Sequence, residues 1–232
     1  MLNIVYEDNH IIVVVKPQNV PTQEDSSKDK DLFTLVKDYI KETYEKPGNV
    51  YLGLVHRLDR PTGGLMIFAK SSKAASRLSE NIREGEIEKS YLACVLGQPK
   101  DKRATLINYL KKDEQNNIVK IAPQGEEGSK RAELVYNVLE QNDHFSLLNV
   151  KLLTGRSHQI RVQLAYIKHP IFGDVKYKGN LVKGTKMALW AYQLKFVHPV
   201  TKQVLSFVSF PPSEEVPWKF FNLEKHIGIK AS

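Results

Sequence analysis

The stretch that decides the fold is Leu54–Met66, which reads LVHRLDRPTGGLM. Apolar residues typical of a strand lead into a charged cluster, and a Pro/Gly turn then leads directly into a second apolar strand. Within the cluster, Arg57 and Arg60 bracket Asp59. One interpretation is an ordinary solvated turn, since Asp, Gly and Thr are common turn residues. However, charges at the edges of buried strands rarely stay unpaired, which favours a functional site.

A second polar segment has the same character. Leu152–Arg161 reads LLTGRSHQIR, so that an apolar strand ends in a small-residue turn and a segment with two arginines opens a helix. No Walker-type phosphate loop, GxGxxG or HExxH motif is present elsewhere in the sequence. These two segments are therefore the candidates for chemistry.

Outward from these segments, short apolar and β-branched runs predict strands. They cover residues 4–6, 10–16, 65–69, 90–96, 104–110, 118–122, 132–139, 145–153, 188–197 and 204–210. Helices are predicted from Asp31 to the Pro47-Gly48 pair, from Ser71 or Ser72 to Gly85, over residues 158–167, and over residues 214–221. Many antiparallel-looking strands with few helices indicate an α+β fold, built on a large mixed, mainly antiparallel β-sheet flanked by helices and loops. Because no repeat or linker forces a boundary, we expect a single catalytic domain over residues 1–232.

The composition of the chain narrows the range of functions that it could have. The chain has 232 residues, 41% of them hydrophobic, with 34 Lys and Arg against 26 Asp and Glu for a net charge of +8. The basic excess favours a polyanionic partner such as a nucleic acid, and the alternative is that the charge only keeps the protein soluble. No apolar run approaches a membrane span and no secretory leader is visible, so we expect a cytoplasmic protein without a membrane partner. Cys94, the single cysteine, lies in an apolar run and is expected to be a buried structural thiol, and the seven histidines are too scattered to predict a metal site.

The two polar segments resemble motifs of the RluA-type pseudouridine synthases. HRLD at residues 56–59, followed by PTGGL at 61–65, resembles the family's HRLD-x-x-T-S-G-L motif, and TGRSHQIR at 154–161 resembles its TGR-T/S-HQ-I/L-R motif. The segment Pro170–Asp174 with Tyr177, the opening strand pair with its Lys16-Pro17 turn, the Lys89–Tyr91 element and the late Val197–Pro199 element also match in family order. The matches cover most of the chain.

The resemblance implies a pseudouridine synthase catalytic fold and the isomerisation of uridine to pseudouridine in ribosomal or transfer RNA, without metal, nucleotide or other cofactor. Asp59 matches the family's catalytic aspartate, Arg161 the arginine that pairs with it, and Tyr91 the active-site tyrosine. The target uridine is expected to be flipped out of its stack, with Arg57 placed to fill the gap. The remaining substrate-binding candidates lie in the same two segments: His56, Arg60, Thr62, Arg156, His158 and Gln159, with Lys176 and Lys178 as further phosphate contacts.

Two departures from the family pattern matter. Gly63 stands where the family usually has serine, and we expect no small RNA-binding domain ahead of the catalytic one. Substrate choice is therefore expected to come from the catalytic domain itself. We also expect a monomer. Two alternatives remain open: a non-catalytic RNA-binding protein on the same fold, and a base-acting enzyme such as a uracil-releasing glycosylase.

Overall fold

The computed structural model describes residues 2–179, 182 and 184–227. In chain order, the strands are β1 (Asn3–Glu7), β2 (Ile11–Lys16), β3 (Gly53–Leu54), β4 (Gly63–Ala69), β5 (Glu88–Leu96), β6 (Arg103–Asp113), β7 (Ile118–Ala122), β8 (Lys130–Gln141), β9 (Phe145–Leu152), β10 (Leu189–Val197) and β11 (Val204–Val208). The helices are α1 (Leu32–Thr43), α2 (Ser72–Glu84), α3 (Gln159–Tyr166) and α4 (Leu223–Ile227), with short 3₁₀ helices at Val175–Tyr177 and Trp218–Phe220.

The described residues form two compact units, and each unit combines two separate stretches of chain. The first unit contains the residues up to Lys89 and those of Ala191–Ser209, and the second contains Ser90–Trp190 and the residues from Phe210 onward. No shift in composition marks these boundaries in the sequence. The expectation of a single domain over the whole chain stays a prediction.

In the first unit the strands run in the order β1-β2-β4-β10, with β3 beside β4 and β11 beside β10. Every residue of β2 and β4 is buried, as expected for strands covered on both faces. Helices α1 and α2 begin at the caps that the sequence predicts, and α2 also ends at its predicted glycine, whereas α1 ends at Thr43, before the Pro47-Gly48 pair. The Asp31 side chain accepts from the Thr34 N–H, Ser71 accepts from the Ala74 N–H, and Gly85 ends α2 in the left-handed conformation.

Gly64, near the start of β4, packs directly against β10. Its φ is +117°, and a Cβ at this position would lie 2.3 Å from the Ala191 carbonyl oxygen. Only glycine therefore allows the two backbones to approach this closely.

In the second unit the strands run in the order β5-β9-β8-β6-β7. The β6–β8, β8–β9 and β6–β7 pairs are all antiparallel. Helix α3 contacts β6 and β7 and buries Val162 in a cluster with Leu110, Val119, Ala132 and Tyr177. This packing fixes the start of α3, which carries the second polar segment.

The predicted α+β class with a mainly antiparallel sheet is confirmed, and most elements lie within a few residues of their predicted limits. The helix predicted over residues 214–221 is wrong. Between these limits only Trp218–Phe220 is helical, as a 3₁₀ helix, and α4 begins beyond them at Leu223; Pro217 lacks the N–H that a continuous α-helix requires. Cys94 is fully buried as expected, and burial raises the pKa of its thiol. Within the described ranges, no helix is long and apolar enough to cross a membrane.

Candidate active site

A short loop, Leu58–Thr62, leads into β4 and carries Asp59; we call it the Asp59 loop. Its carbonyl oxygens at four successive positions, residues 58–61, accept hydrogen bonds. The Leu58 carbonyl oxygen accepts from Thr22 Oγ1 at 2.8 Å, and that of Asp59 accepts from the Thr62 N–H at 2.9 Å. The Arg60 carbonyl oxygen accepts from the Asn19 N–H at 2.8 Å, and that of Pro61 accepts from Gln18 Nε2 at 3.1 Å. The backbone on both sides of Asp59 is therefore fixed by hydrogen bonds rather than left to solvent.

A buried lysine also contacts this loop. The Nζ of Lys16, at the end of β2, donates to the carbonyl oxygens of Pro17 at 3.0 Å, Val20 at 2.7 Å and Arg60 at 3.0 Å. Burial lowers the pKa of Lys16 to about 7, the charge of Asp59 acts against this lowering, and the charge of Arg60 adds to it. The half-buried Asp59 side chain thus lies within the electrostatic reach of a buried amine.

The two arginines that bracket Asp59 differ in their surroundings. Arg57 is exposed and forms no hydrogen bond or ion pair with any other residue that the structure describes. Arg60 instead binds the polar loop before α1: its guanidinium donates to Ser27 Oγ at 2.7 Å and forms ion pairs with Asp25 and Asp29. A phosphate contact by Arg60 would therefore compete with two carboxylates, whereas Arg57 meets no such competition.

His56 and Thr62 contact the protein itself. The Ile67 N–H donates to Nε2 of His56 at 3.1 Å, so this nitrogen carries no proton. Burial and the charge of Lys89 lower the pKa of His56 to about 3, which keeps the imidazole neutral. Thr62 is buried and its N–H closes the turn at Asp59. A substrate contact by either residue stays a prediction.

In the second unit, a glutamine amide builds the turn that precedes α3. Gln159 is buried, and its Oε1 accepts from Thr154 Oγ1 at 2.8 Å and from the Arg156 N–H at 3.0 Å. Its Nε2 donates to the Glu133 carbonyl oxygen at 3.0 Å. Gln159 therefore holds the turn that presents the exposed residues 155–157, and this observed role differs from the direct substrate contact that was predicted for it.

The start of α3 carries a linked polar cluster. The Arg161 guanidinium donates from Nε to Asp174 Oδ2 at 2.7 Å and from Nη2 to Asp174 Oδ1 at 2.8 Å, and its Cζ lies 5.1 Å from the Tyr177 ring centre. The Tyr177 hydroxyl accepts from the Val119 N–H at 2.9 Å and lies 2.7 Å from Nδ1 of His158. A hydroxyl has one hydrogen and two lone pairs, so the tautomer of His158 decides which of the two groups donates in this contact. Tyr177 thus connects His158 to the ion pair.

The structure brings the predicted site residues together in two local groups. His56, Arg57, Asp59, Arg60 and Thr62 lie in or beside the Asp59 loop of the first unit. In the second unit, Arg156, His158, Gln159 and Arg161 lie at the start of α3, and Tyr91, only 5% exposed, lies on β5. The pairing of Arg161 with Asp59 and the site role of Tyr91 stay predictions.

Two residues with clear structural roles were not identified as functional from the sequence alone. The sequence indicates Lys16 only as part of the turn with Pro17, although a lysine that ends a run of aliphatic residues is itself a signal. It indicates Asp174 only within the Pro170–Asp174 segment, and nothing in the spacing of Asp174 shows that it pairs with Arg161. Of the two lysines predicted to contact phosphate, Lys176 donates to the Asn117 carbonyl oxygen at 2.8 Å, and Lys178 is exposed.

The fold defines the class of protein. The solved structure of human RNA pseudouridylate synthase domain containing 4 superimposes with a TM-score of 0.76, covering 90% of this chain and 88% of that one at 22% identity. The structure of human RNA pseudouridylate synthase domain containing 1 superimposes with a TM-score of 0.71 at 26% identity. This superposition covers 91% of this chain and 84% of that one. The chain therefore has the pseudouridine synthase fold.

Sequence comparison shows the family. A profile for RNA pseudouridylate synthase matches residues 10–166. The chain is 33% identical to the ribosomal large subunit pseudouridine synthase D of Vibrio cholerae, with 93% of this chain and 69% of the relative covered. It is 30% identical to the ribosomal large subunit pseudouridine synthase C of Vibrio vulnificus, with 92% of this chain and 66% of the relative covered. The chain belongs to the RluA-type RNA pseudouridine synthase family, whose members are intramolecular isomerases.

Proposed function

We propose that this pseudouridine synthase modifies uridines in ribosomal RNA, transfer RNA or both, with Asp59 as the catalytic carboxylate. The observation that carries the residue assignment is the Asp59 loop, in which the backbone is hydrogen-bonded from Leu58 to Pro61 around a half-buried carboxylate. Such a preorganised acidic group suits chemistry at one fixed atom. The names of the two Vibrio relatives favour large-subunit ribosomal RNA as the substrate.

The reaction rearranges bonds within one nucleotide. The N1–C1′ bond breaks, the uracil turns, a bond forms between C5 and C1′, and the proton of C5 leaves while N1 gains one. Asp59 serves this reaction at the sugar, either as a nucleophile on C1′ or as the base that starts glycal formation. The tyrosine ring of Tyr91 is suited to stack on the uracil, and its hydroxyl to assist removal of the C5 proton.

The charges around the site have separate tasks in this proposal. Arg57, exposed and without an ion-pair partner among the described residues, contacts the RNA and fills the space left by the flipped base. Arg161 supplies a cation that favours the ionised form of the Asp59 carboxylate. The two-point ion pair with Asp174 fixes the orientation of the Arg161 side chain. Arg156, on the exposed turn before α3, offers a further phosphate contact.

We also propose that the protein is cytoplasmic and that it acts as a monomer. Light scattering would check the monomeric state.

The decisive test is tritium release from RNA labelled at uridine C5, with unmodified ribosomal and transfer RNA as separate substrates and no added metal or nucleotide. We expect release by the wild type and none by Asp59→Asn. The matched control is Asp143→Asn, which changes an exposed aspartate between β8 and β9 in the same way and should leave release unchanged.

The products separate this function from its rivals. An isomerase leaves the mass of the RNA unchanged, whereas a glycosylase releases uracil and leaves an abasic sugar. RNA binding without any modified base, equal in wild type and Asp59→Asn, would instead favour a binding protein. Release by Asp59→Asn at the wild-type rate would exclude Asp59 as the catalytic carboxylate.

A further inference from the structure

One face of the sheet in the second unit points away from α3 and is largely exposed. Successive residues of a strand alternate between its two faces, and residues paired across strands share a face. Leu110, Val119 and Ala132 pack under α3, so their neighbours in sequence lie on the opposite face. We call that face the β6–β9 face and define it by these side chains: Arg103, Thr105, Ile107, Tyr109, Lys111 and Asp113 on β6, Lys120 on β7, Arg131, Glu133 and Val135 on β8, and Lys151 on β9.

The β6–β9 face carries an excess of positive charge. Its charged residues are five exposed cations, Arg103, Lys111, Lys120, Arg131 and Lys151, and two carboxylates, Asp113 and Glu133. Lys111 forms an ion pair with Glu126, and Arg131 forms one with Glu133. Such solvent-exposed ion pairs are weak, so a phosphate can replace the carboxylate at little cost.

Two of the cations lie directly opposite each other. The register pairs Lys111 of β6 with Lys120 of β7. Like charges in this position destabilise a sheet, whereas an opposite-charge pair stabilises it. Lys120 forms no hydrogen bond or ion pair with any other residue in the part of the chain that the structure describes. Stability therefore does not explain this pair, whereas a polyanion that binds both lysines does.

Aromatic and apolar side chains lie between the cations. Tyr109 is directly opposite Arg131, and Ile107, which is 51% exposed, is directly opposite Glu133. Bases of a single strand stack on aromatic side chains while cations contact the backbone. Sheet faces of this composition bind single-stranded RNA in this way, whereas a duplex keeps its bases stacked inside. The composition of the face therefore favours a single strand of RNA over a duplex.

The β6–β9 face continues into the exposed turn before α3. Nε of Arg156 donates to the Arg131 carbonyl oxygen at 3.0 Å, and the Leu153 N–H donates to the Glu133 carbonyl oxygen at 3.0 Å. The turn thus runs along the edge of β8, and Arg156 lies beside Arg131. Because neighbouring strands are about 4.8 Å apart, the row from Arg156 across β8 and β6 to Lys120 spans about 15 Å. A row of this length can contact more than one phosphate of the same strand.

We propose that the β6–β9 face binds a single strand of the substrate RNA outside the nucleotide that reacts. Lys111, Lys120 and Arg131 contact its phosphates, and Tyr109 offers a surface on which a base stacks. The inference rests on the proposed function, which supplies RNA as the substrate. It assigns to this sheet a role in holding RNA that is separate from the chemistry at Asp59.

The first test measures the binding of a fluorescein-labelled oligouridylate at a series of salt concentrations. Lys120→Gln should weaken binding and reduce the slope of log affinity against log salt concentration by about 0.7, the share of one phosphate contact with a single strand. The matched control is Lys130→Gln. Lys130 is also an exposed lysine without an ion-pair partner among the described residues, but it is paired with the buried Leu110 and so lies on the other face.

We expect Lys130→Gln to keep the slope of the wild type. An unchanged slope in Lys120→Gln would overturn the proposal. An equal reduction in the two variants would also overturn it, because the loss would then follow net charge rather than the β6–β9 face.

Kinetics on the RNA that the wild type modifies give a second readout. Lys120→Glu should raise KM about tenfold and leave kcat within about twofold of the wild type, because the face binds RNA equally in the ground state and the transition state. An unchanged KM would overturn the proposal and leave this face to solvent or to a protein partner. A lower kcat at unchanged KM would overturn it as well.

Thermal unfolding separates this effect from a folding defect. Lys120→Glu replaces a like-charge pair with an opposite-charge pair, so its Tm should equal or exceed that of the wild type. Weaker RNA binding at a lowered Tm would show that Lys120 serves stability and would overturn the proposal. Failure of the proposed function is distinguishable, because it would appear as no tritium release by the wild type, whereas binding of the oligouridylate tests the β6–β9 face without any reaction.

Discussion

Arg161 and Asp174 form a two-point ion pair in which Nε meets Oδ2 at 2.7 Å and Nη2 meets Oδ1 at 2.8 Å. Both side chains are almost completely buried, at 6% and 1% exposure. This geometry requires the planar fork of arginine, which a lysine cannot reproduce. The TGRSHQIR segment therefore depends on a residue outside itself to orient the arginine that the family resemblance places in the active site.

We predict that removing Asp174 destabilises the protein more than removing the pair. Asp174→Ala leaves the Arg161 charge buried without this partner and should lower the free energy of unfolding by about 3–5 kcal/mol. The double variant Arg161→Met with Asp174→Leu should lose less, because neither member of this pair then stays buried without the other. Urea unfolding of both variants measures the difference, and a double variant at least as unstable as Asp174→Ala would contradict it.

A second prediction concerns the contact between β4 and β10. Gly64→Ala places a methyl group 2.3 Å from the Ala191 carbonyl oxygen, so the strands must separate and the protein should lose several kcal/mol of stability or fail to fold. Gly48→Ala is the control, since Gly48 also has a positive φ, +78°, but no atom within 4 Å of the added Cβ. That variant should cost only about 1–2 kcal/mol. Thermal unfolding of both proteins gives the comparison, and equal losses would show that backbone conformation, rather than space, limits Gly64.

Local signals predicted most of the elements because each signal is complete within a few residues. Asp31, Ser71 and Gly85 show how this works: a side-chain cap or a left-handed glycine acts on amides and carbonyls within one turn of the chain. The apolar runs of β2 and β4 are equally visible because both faces of these strands are buried. By contrast, the two-residue strand β3 is too short to leave a pattern.

The contacts that build the candidate site were less predictable because they join residues far apart in sequence. The motifs identified Asp59 and Arg161, but the hydrogen bond from Lys16 to Arg60 spans 44 residues, and the Tyr177 hydroxyl reaches Val119 across 58. Gln159 illustrates a further difficulty, since an amide within a functional motif is used to build the turn rather than to face solvent. A motif indicates where a site lies, but it does not separate the residues that contact substrate from those that hold them.

Our third prediction is that stability falls as the solution becomes acidic because of His56. Its pKa is about 3 in the folded protein against 6.5 for an ordinary histidine, so between these values the unfolded chain binds the additional proton. From about pH 7 to about pH 5, this linkage should remove roughly 2 kcal/mol of folding free energy. His56→Gln, which offers an oxygen to the Ile67 N–H, should show a shallower dependence on pH. Urea unfolding at a series of pH values tests this, and parallel curves for the two proteins would contradict it.

The fourth prediction distinguishes the two arginines that bracket Asp59 by the salt dependence of RNA binding. Each phosphate contact that releases counterions contributes about 0.7–0.9 to the slope of log affinity against log salt concentration. Arg57 is exposed and unpaired within the described part of the chain, so Arg57→Gln should reduce the slope by about this amount. Arg60→Gln should change the slope less, because Asp25 and Asp29 already neutralise this guanidinium and a phosphate must displace them. Binding measured between about 50 and about 200 mM salt with the inactive Asp59→Asn protein as background avoids turnover. A larger slope change for Arg60→Gln than for Arg57→Gln would show that RNA releases Arg60 from the acidic loop.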